Sequence, residues 1–286
     1  MRRVRVVTDT TACLPPHLAA SRKILVLPLE LEFEDAVYQD GISATSAEFY
    51  AKLAASPRPP TTSSPSPGVY ADAFLEAGRD ADAVLCVTVS RQFSAMYDAA
   101  VQGRDLARER APELDVRVLD SGAAAMAQGF VALEAARGAA DGAAIDDVIT
   151  RATALMPHVQ LLVSLDTLTY VGRSGRVPRL LIMAASPLRI KPVVAFERGA
   201  YRPIGLARTA AGASGRLLGA LRQRAGAGEL HVCVHHTNAP AEAEALRERV
   251  REALSPKELL VSEFTQLMGV HTGPGLLGFA FYSCPE

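Results

Sequence analysis

Short apolar runs rich in valine, leucine and isoleucine alternate along this chain with stretches of helix-forming residues. Alternation of this kind is typical of βαβ units with mostly parallel strand pairing, so the pattern predicts an α/β fold. The runs that we predict as strands are 3–9, 23–33, 83–90, 115–120, 159–165, 190–197, 229–236, 257–264 and 276–282.

The chain has 286 residues, which exceeds the roughly 100–200 residues of a typical domain. We therefore predict two domains, 1–157 and 158–286, with one large α/β domain as the alternative. Hydrophobic residues make up 49% and charged residues 21%, as expected of an ordinary globular protein. A formal net charge of -1 argues against a protein that coats nucleic acid.

The cysteines and the apolar runs constrain the compartment and the relation to membranes. Cys13, Cys86, Cys233 and Cys284 are far apart and form no CxxC pair, which favours reduced thiols and a cytoplasmic protein. The apolar run in MRRVRVVTDT is too short for a secretory signal. No apolar stretch approaches the roughly 18 residues of a membrane-spanning helix, so no stable membrane insertion is expected.

Three further segments have distinctive local patterns. Residues 240–254 are predicted as a helix, because Ala243, Leu246, Val250 and Ala253 fall on one face. The alanine- and glycine-rich helix 123–138 favours close packing over room for a guest. The proline-rich stretch 56–68 is predicted to lack regular structure, and a surface linker is its simplest interpretation.

Positive charge is concentrated in the second half of the chain. Residues 167–228 hold eleven Arg or Lys against the single acid Glu197. Such a segment predicts an anionic partner, although a solvated surface is the alternative.

The segment GVHTGPGLLGF (269–279) contains His271 and the GxGxxG pattern of Gly273, Gly275 and Gly278. A dinucleotide site would need a following helix and a later acidic residue, whereas here the chain ends at Glu286. The glycines therefore predict a tight turn into the last strand. No GxxxxGK[ST] sequence is present, so no P-loop is predicted.

Two other kinds of site are open to these residues. His231, Cys233 and His235 alternate on one strand and could ligate a metal, but a buried strand explains the pattern better, and we predict no metal site. A hydrolase is the stronger alternative, with serines in 88–97, Asp9 or Asp120 and His271, although no GxSxG elbow occurs.

Eight segments in chain order together resemble the motifs of one family, the DegV family, whose studied members are fatty-acid-binding subunits of bacterial fatty acid kinase. The segments are VVTDTTACLP (6–15), YQDGISATSAEFYAKL (38–53), PTTSSPS (60–66), VSRQFSAMYDAA (89–100), VLDS (118–121), TYVGRSGRV (169–177), LRIKPVV (188–194) and GVHTGPG (269–275). The departures from the family motifs are Thr10 for the commoner Ser, Ser64 for Gln, Ala95 for Gly and Met96 for Thr.

The resemblance implies an N-terminal three-layer domain with a parallel sheet and a C-terminal α/β domain with a mixed sheet. It also implies a long-chain fatty acid, of about 16–18 carbons, buried between or beside the domains. Carried over by motif, Thr62, Ser94 and His271 would bind the carboxylate. The residues that would support them are Asp9, Thr61, Ser63, Ser90 and Gly273.

The resemblance further implies a non-catalytic carrier without a cofactor, whose ligand is phosphorylated by a separate ATP-binding kinase subunit. Such a partner would account for the lack of a P-loop in this sequence. The basic segment then has a role in docking the kinase, for which the candidates are Arg173, Arg176, Lys191 and Arg208.

Overall fold

The computed structural model describes residues 3–284 except 34, 35, 42, 57, 59, 175–189, 198 and 199, and describes Arg173 and Ser174 without their side chains. Contacts within the chain group it into two compact units. The first unit comprises Met1–Glu30 and Thr62–Pro157, and the second comprises Leu31–Thr61 and His158–Glu286.

The elements alternate much as the sequence pattern indicates. The strands are β1 (Val4–Asp9), β2 (Leu25–Leu27), β3 (Glu30–Phe33), β4 (Ala36–Gln39), β5 (Thr61–Thr62), β6 (Ala83–Thr88), β7 (Asp115–Asp120), β8 (Gln160–Ser164), β9 (Lys191–Glu197), β10 (Ala200–Ala207), β11 (Leu230–His236), β12 (Glu258–Glu263) and β13 (Leu277–Ser283). The α-helices are α1 (Pro16–Ser21), α2 (Ser46–Ala55), α3 (Pro67–Ala77), α4 (Met96–Arg110), α5 (Met126–Ala140), α6 (Ile145–Leu155), α7 (Thr169–Ser174), α8 (Ala210–Arg224), α9 (Pro240–Leu254) and α10 (Gln266–Thr272).

The first unit is built on a parallel sheet with strand order β2-β1-β6-β7. Val84 and Cys86 of β6 pack against α3 and α4, in a core that includes the fully buried Phe74. Successive strand side chains point to opposite faces, and the other face of the sheet packs against α5. The predicted parallel-sheet α/β unit is confirmed.

The second unit is built on a mixed sheet with strand order β10-β9-β8-β13-β11-β12. Only the β11–β12 pair is parallel among its described ladders. Leu217 and Leu221 of α8 and Leu246 of α9 pack against Val232 and Phe279 on one face of this sheet. A second, three-stranded sheet has the order β4-β3-β5. The predicted mixed sheet is confirmed.

Residues 31–61 group with the second unit, although residues 62–157, which follow them in sequence, group with the first. The reason is local to α2 and α10. Tyr50 of α2 packs against Gly269, and the buried Asp40 accepts a hydrogen bond from the backbone of Leu267. The contact grouping changes again between Pro157 and His158, and the division into domains 1–157 and 158–286 stays a prediction.

Proline accounts for the other departures from the predicted elements. The run 23–33 forms β2 and β3 separately, because Pro28 has no N–H to donate to a ladder. The stretch 56–68 contains the short strand β5 and the start of α3, contrary to the prediction that it lacks regular structure. Pro67 is tolerated in the first turn of α3, where backbone N–H groups have no helical acceptor, and Ser66 accepts the N–H of Val69.

Helix α5 confirms the predicted close packing of its alanine- and glycine-rich sequence. Most of its residues are buried. A Cβ at Gly129 would lie 2.9 Å from the carbonyl oxygen of Ala12 and 2.7 Å from the sulfur of Met126. Small side chains therefore let the backbone of α5 approach the turn that follows β1.

Candidate functional site

The parallel sheet of the first unit reverses its strand order between β1 and β6. The chain passes from β1 to β2 on one side and continues through β6 to β7 on the other. Ligands of open α/β sheets usually bind beyond the carboxyl ends of the strands at such a point. Asp9 ends β1, and Ser90 follows the end of β6 by two residues. The motifs that contain Asp9 and Ser90 therefore both lie at the carboxyl-end edge of this sheet.

Asp9 is held by a buried hydrogen-bond network. Its Oδ1 accepts from the backbone N of Thr11 at 2.8 Å and from the Thr11 hydroxyl, and its Oδ2 accepts from Gln128 Nε2 at 3.2 Å. Gln128 Nε2 also lies 3.1 Å from the Thr8 hydroxyl. Burial raises the pKa of Asp9 to about 6, although the hydrogen bonds from Thr11 and Gln128 oppose this shift. The hydrogen bonds of Asp9 therefore link β1 to the turn after it and to α5.

Gln128 is a buried hydrogen-bond partner of Asp9 that the sequence interpretation missed. It is completely buried in α5 and hydrogen-bonds residues of β1 and the turn that follows it. The available signal was a lone amide in the otherwise apolar segment AMAQGFVAL. A polar side chain there needs partners when α5 is buried on both faces.

The serines of the predicted site lie in the loop between β6 and α4. Ser90 is buried, and its hydroxyl accepts from the backbone N of Gln92 at 3.3 Å. Its backbone N donates to the carbonyl of Ala123 at 2.8 Å, which ties this loop to the loop after β7. Ser94 is half-buried just before α4. The structure thus places Asp9, Ser90 and Ser94 at the carboxyl ends of two adjacent strands.

The threonines of the proline-rich motif form β5. Thr62 is half-buried, whereas Thr61 is exposed and its hydroxyl lies 3.3 Å from Glu32 Oε2. Ser63 is exposed in the segment without regular structure that follows. Pairing of β5 with β3 restricts the backbone at Thr62, and Pro60 fixes φ directly before β5.

His271 lies in the last turn of α10, and the glycine turn into β13 follows it as predicted. Its side chain is half-buried. Thr237, at the end of β11, fixes the turn. The Thr237 hydroxyl donates to the carbonyl of Gly273 at 2.7 Å and accepts from the backbone N of Leu276 at 2.9 Å.

Two tyrosine rings lie against the glycines on either side of His271 in sequence. A Cβ at Gly269 would lie 2.1 Å from the hydroxyl oxygen of Tyr50, and a Cβ at Gly273 would lie 2.2 Å from Cδ2 of Tyr170. Gly273 also has a φ of 73° and ψ of 175°, a backbone conformation that is essentially confined to glycine. The backbone around His271 is thus determined by packing as well as by hydrogen bonds.

The histidines of β11 are engaged in packing rather than gathered around an ion. His231 stacks on Tyr282 with ring centroids 4.5 Å apart, and its Nδ1 lies 3.0 Å from Glu258 Oε2. Burial lowers the pKa of His235 to about 3, which keeps this imidazole neutral. In the part of the chain that the structure describes, no three His, Cys, Asp or Glu side chains form a cluster suited to a metal.

The carboxylates proposed for a hydrolase triad have other partners. The oxygens of Asp9 are bound by Thr11 and Gln128, and Asp120 Oδ1 accepts from the backbone N of Gly122 at 2.9 Å. A triad carboxylate instead accepts from the histidine that serves as the base. These contacts favour structural roles for Asp9 and Asp120.

The predicted docking residues have different surroundings. Lys191 at the start of β9 forms an ion pair with Asp166. Arg208 is exposed directly after β10, and Ala207 is the register partner of Lys191, so both basic residues lie at one end of this hairpin. Arg176 and the side chain of Arg173 lie outside the described residues. Across the helices that the structure does describe, none has the length and apolar character needed to cross a bilayer.

Known proteins resemble this chain over nearly its whole length. A DegV domain-containing protein of Streptomyces coelicolor is 36% identical over 97% of both chains. The structure of a DegV family protein from Thermus thermophilus, described as fatty acid binding, has 30% identity and a TM-score of 0.90 over 99% of this chain and 100% of that one. Bacillus subtilis DegV, described as a fatty acid binding protein, has 27% identity and a TM-score of 0.87 over 99% and 100% of the two chains.

A family model agrees with these relatives and with the motifs identified in the sequence. The model described as "Uncharacterised protein, DegV family" matches residues 3–283, which span both units. The chain therefore belongs to the DegV family.

Proposed function

We propose that this protein is a non-catalytic carrier that binds a long-chain fatty acid and presents its carboxylate to a separate ATP-binding kinase subunit. The observation that carries the proposal is the full-length structural likeness to the Thermus thermophilus DegV protein, which is described as fatty acid binding. The Bacillus subtilis protein of similar fold has the same description.

The candidate headgroup residues supply the chemistry that such a ligand needs. A carboxylate taken from water requires charge-assisted hydrogen-bond donors, which are stronger than neutral pairs. Thr62 and Ser94 offer hydroxyl donors, and His271 offers an imidazole N–H. Because all three side chains are half-buried, fewer water molecules compete with the ligand carboxylate for their hydrogen bonds. In this proposal Asp9, Thr61, Ser63, Ser90 and Gly273 are the supporting residues. Ser90 fixes the loop that carries Ser94, and Gly273 ends the helix that carries His271.

The acyl tail supplies most of the affinity in this proposal. Each buried methylene contributes about 0.8 kcal/mol, so a chain of about 16 carbons contributes on the order of 12 kcal/mol before association costs. The headgroup contacts then select an acid and fix its register. The kinase supplies ATP, whose terminal phosphoryl group passes to a carboxylate oxygen of the acid to give acyl phosphate and ADP.

Replacing His271 with alanine is expected to weaken binding of palmitate by about tenfold or more, as when a charge-assisted hydrogen bond of about 1.5–3 kcal/mol is lost. The purified wild-type protein should also release a fatty acid on extraction with organic solvent, as detected by mass spectrometry. His158→Ala is the matched control, because His158 is exposed and lies outside the predicted site. Loss of the fold together with the ligand in His271→Ala would show that His271 serves packing instead.

An assay on the same purified protein distinguishes the hydrolase alternative from the carrier. The protein is assayed with a chromogenic short-chain ester before and after a Ser94→Ala substitution. Turnover that disappears in Ser94→Ala, with no lipid recovered from the wild type, would contradict the carrier and favour a hydrolase.

Charge reversal at Arg208 is expected to slow phosphorylation of the bound fatty acid without weakening its binding. Arg208 is exposed at the end of the β9–β10 hairpin, where the basic segment would meet an acidic kinase surface. Turnover by a fatty acid kinase subunit is measured for Arg208→Glu at increasing salt. Arg249→Glu on α9 is the control, since Arg249 is also exposed and lies outside the basic segment 167–228. Equal turnover and salt dependence in wild type and Arg208→Glu would exclude Arg208 from docking.

A further inference from the structure

The short helix that carries His271 receives its first hydrogen-bond acceptor from a distant part of the chain. Thr265, at the position before α10, makes no side-chain cap hydrogen bond. Instead, Oδ1 of Asp40 accepts the backbone N–H of Leu267 at 2.9 Å, across 227 residues of sequence. Asp40 is 1% exposed, so this interaction is shielded from water. An acidic acceptor is favoured there because backbone N–H groups at the start of a helix point outward unpaired.

Other hydrogen bonds join the same two segments. The hydroxyl of Ser46 donates to Oε2 of Glu263 at 2.7 Å, and the side-chain amide of Gln266 donates to the carbonyl of Ala44. Oε1 of Glu263 also accepts the backbone N–H of Asn238 at 2.8 Å. The turn before α2 is thus attached to the chain on entry to α10, and through it to the end of β11.

Packing extends this attachment along α10. Gly269 fits against the ring of Tyr50 on α2, and His271 follows two residues later. Since α10 spans only Gln266–Thr272, a shift at its first turn moves its last turn as well. The position of His271 is therefore coupled to that of Asp40.

We propose that Asp40 is a positioning residue for His271, acting through the backbone of α10. The proposal rests on the proposed function, in which His271 contacts the fatty acid carboxylate. Asp40 itself touches no ligand in this scheme. Its carboxylate fixes the start of α10, and the helix in turn fixes the direction from which the imidazole reaches the headgroup. Residues 31–61 thereby contribute to the position of His271 within the second unit.

Asp40→Ala is expected to weaken palmitate binding by about tenfold, as when residues that orient metal ligands are removed. Asp40→Asn retains an oxygen acceptor for the Leu267 N–H and should restore most of the binding. The NMR signals of the His271 ring should shift in Asp40→Ala in the absence of palmitate and return toward wild type in Asp40→Asn. Thr209→Ala is the control, because it removes a comparable hydrogen bond at the start of α8 in the same unit.

A double substitution distinguishes positioning from general stability. If Asp40 acts through His271, Asp40→Ala should have little further effect on palmitate affinity in a His271→Ala background. Additive losses of affinity would overturn the proposal. Should Asp40→Ala fail to fold, Ser46→Ala, which removes only the Ser46–Glu263 hydrogen bond, gives a milder break of the same attachment and is expected to shift the His271 signals in the same way.

The spectroscopic measurement also separates this proposal from the function on which it rests. If wild-type protein fails to bind palmitate, the proposed function is wrong, and the His271 signals still decide whether Asp40 positions the ring. If palmitate binds and His271→Ala weakens it, but Asp40→Ala leaves both the signals and the affinity unchanged, the positioning role alone is wrong.

Discussion

Replacing Gly273 with alanine is expected to reduce the stability of the protein by about 3 kcal/mol or more, because two unfavourable effects combine. A non-glycine residue at a φ of 73° and ψ of 175° is strained by about 1–3 kcal/mol. The new Cβ would also lie 2.2 Å from Cδ2 of Tyr170, so the ring or the turn must move. Such a loss should lower the thermal midpoint by roughly 6–12 °C.

The consequences of this substitution should reach His271. Gly273 accepts the hydrogen bond of Thr237 and ends α10 two residues after the histidine, so a displaced turn carries the imidazole with it. Thermal unfolding followed by circular dichroism gives the stability, and palmitate titration gives the effect on binding.

Gly215→Ala is the matched control for Gly273→Ala. Gly215 lies in the interior of α8, where a Cβ would have no described atom within 4 Å apart from its chain neighbours and its own helix backbone, and alanine is the better helix former there by about 0.5–1 kcal/mol. This variant should therefore be slightly more stable than wild type. A thermal midpoint of Gly273→Ala equal to that of wild type would show that the turn accommodates a side chain and that glycine is not required.

The elements that local sequence predicts well are those whose signals lie within one segment. Helix α9 has the predicted bounds because Ala243, Leu246 and Val250 form one buried stripe and Pro240 is tolerated in its first turn. Strand β6 is buried throughout and reads as a nearly continuous apolar run, and β11 is also buried throughout although three of its seven residues are histidines. The candidate site residues were predicted from the motif resemblance, and the structure shows the burial of each within its own unit.

The contacts that the sequence could not supply join segments far apart in the chain. Gln128 hydrogen-bonds Asp9 across 119 residues, and Asp40 binds Leu267 across 227. Hydrophobic periodicity cannot predict such a pair, because it depends only on neighbouring residues in the same segment. The same reason explains residues 31–61. Their attachment to the second unit depends on hydrogen bonds and on the Tyr50–Gly269 contact rather than on composition.

The carboxyl group of Asp9 is expected to make the protein less stable as the pH rises from about 4 to 6. Burial raises its pKa from 3.8 to about 6, so the folded state holds this proton more tightly than the unfolded chain does. Folding is therefore favoured by protonation, and the advantage disappears as the pH passes through the folded-state pKa. The difference amounts to about 3 kcal/mol, at about 1.4 kcal/mol for each unit of pKa.

Asp9→Asn tests this expectation, because an amide cannot ionise. Asparagine keeps one oxygen acceptor, and a rotation of the Gln128 amide would let its oxygen accept from the new N–H₂ group. Relative to wild type, the variant should therefore gain about 2.5 kcal/mol in unfolding free energy between pH 4 and pH 7, because part of the roughly 3 kcal/mol is already lost at pH 4; denaturant titration measures it. Asp105→Asn, at an exposed position on α4, reports the contribution of a surface carboxylate. A difference between Asp9→Asn and wild type that does not change with pH would show that Asp9 is ionised throughout this range. The hydrogen bonds of Thr11 and Gln128 would then outweigh the cost of its burial.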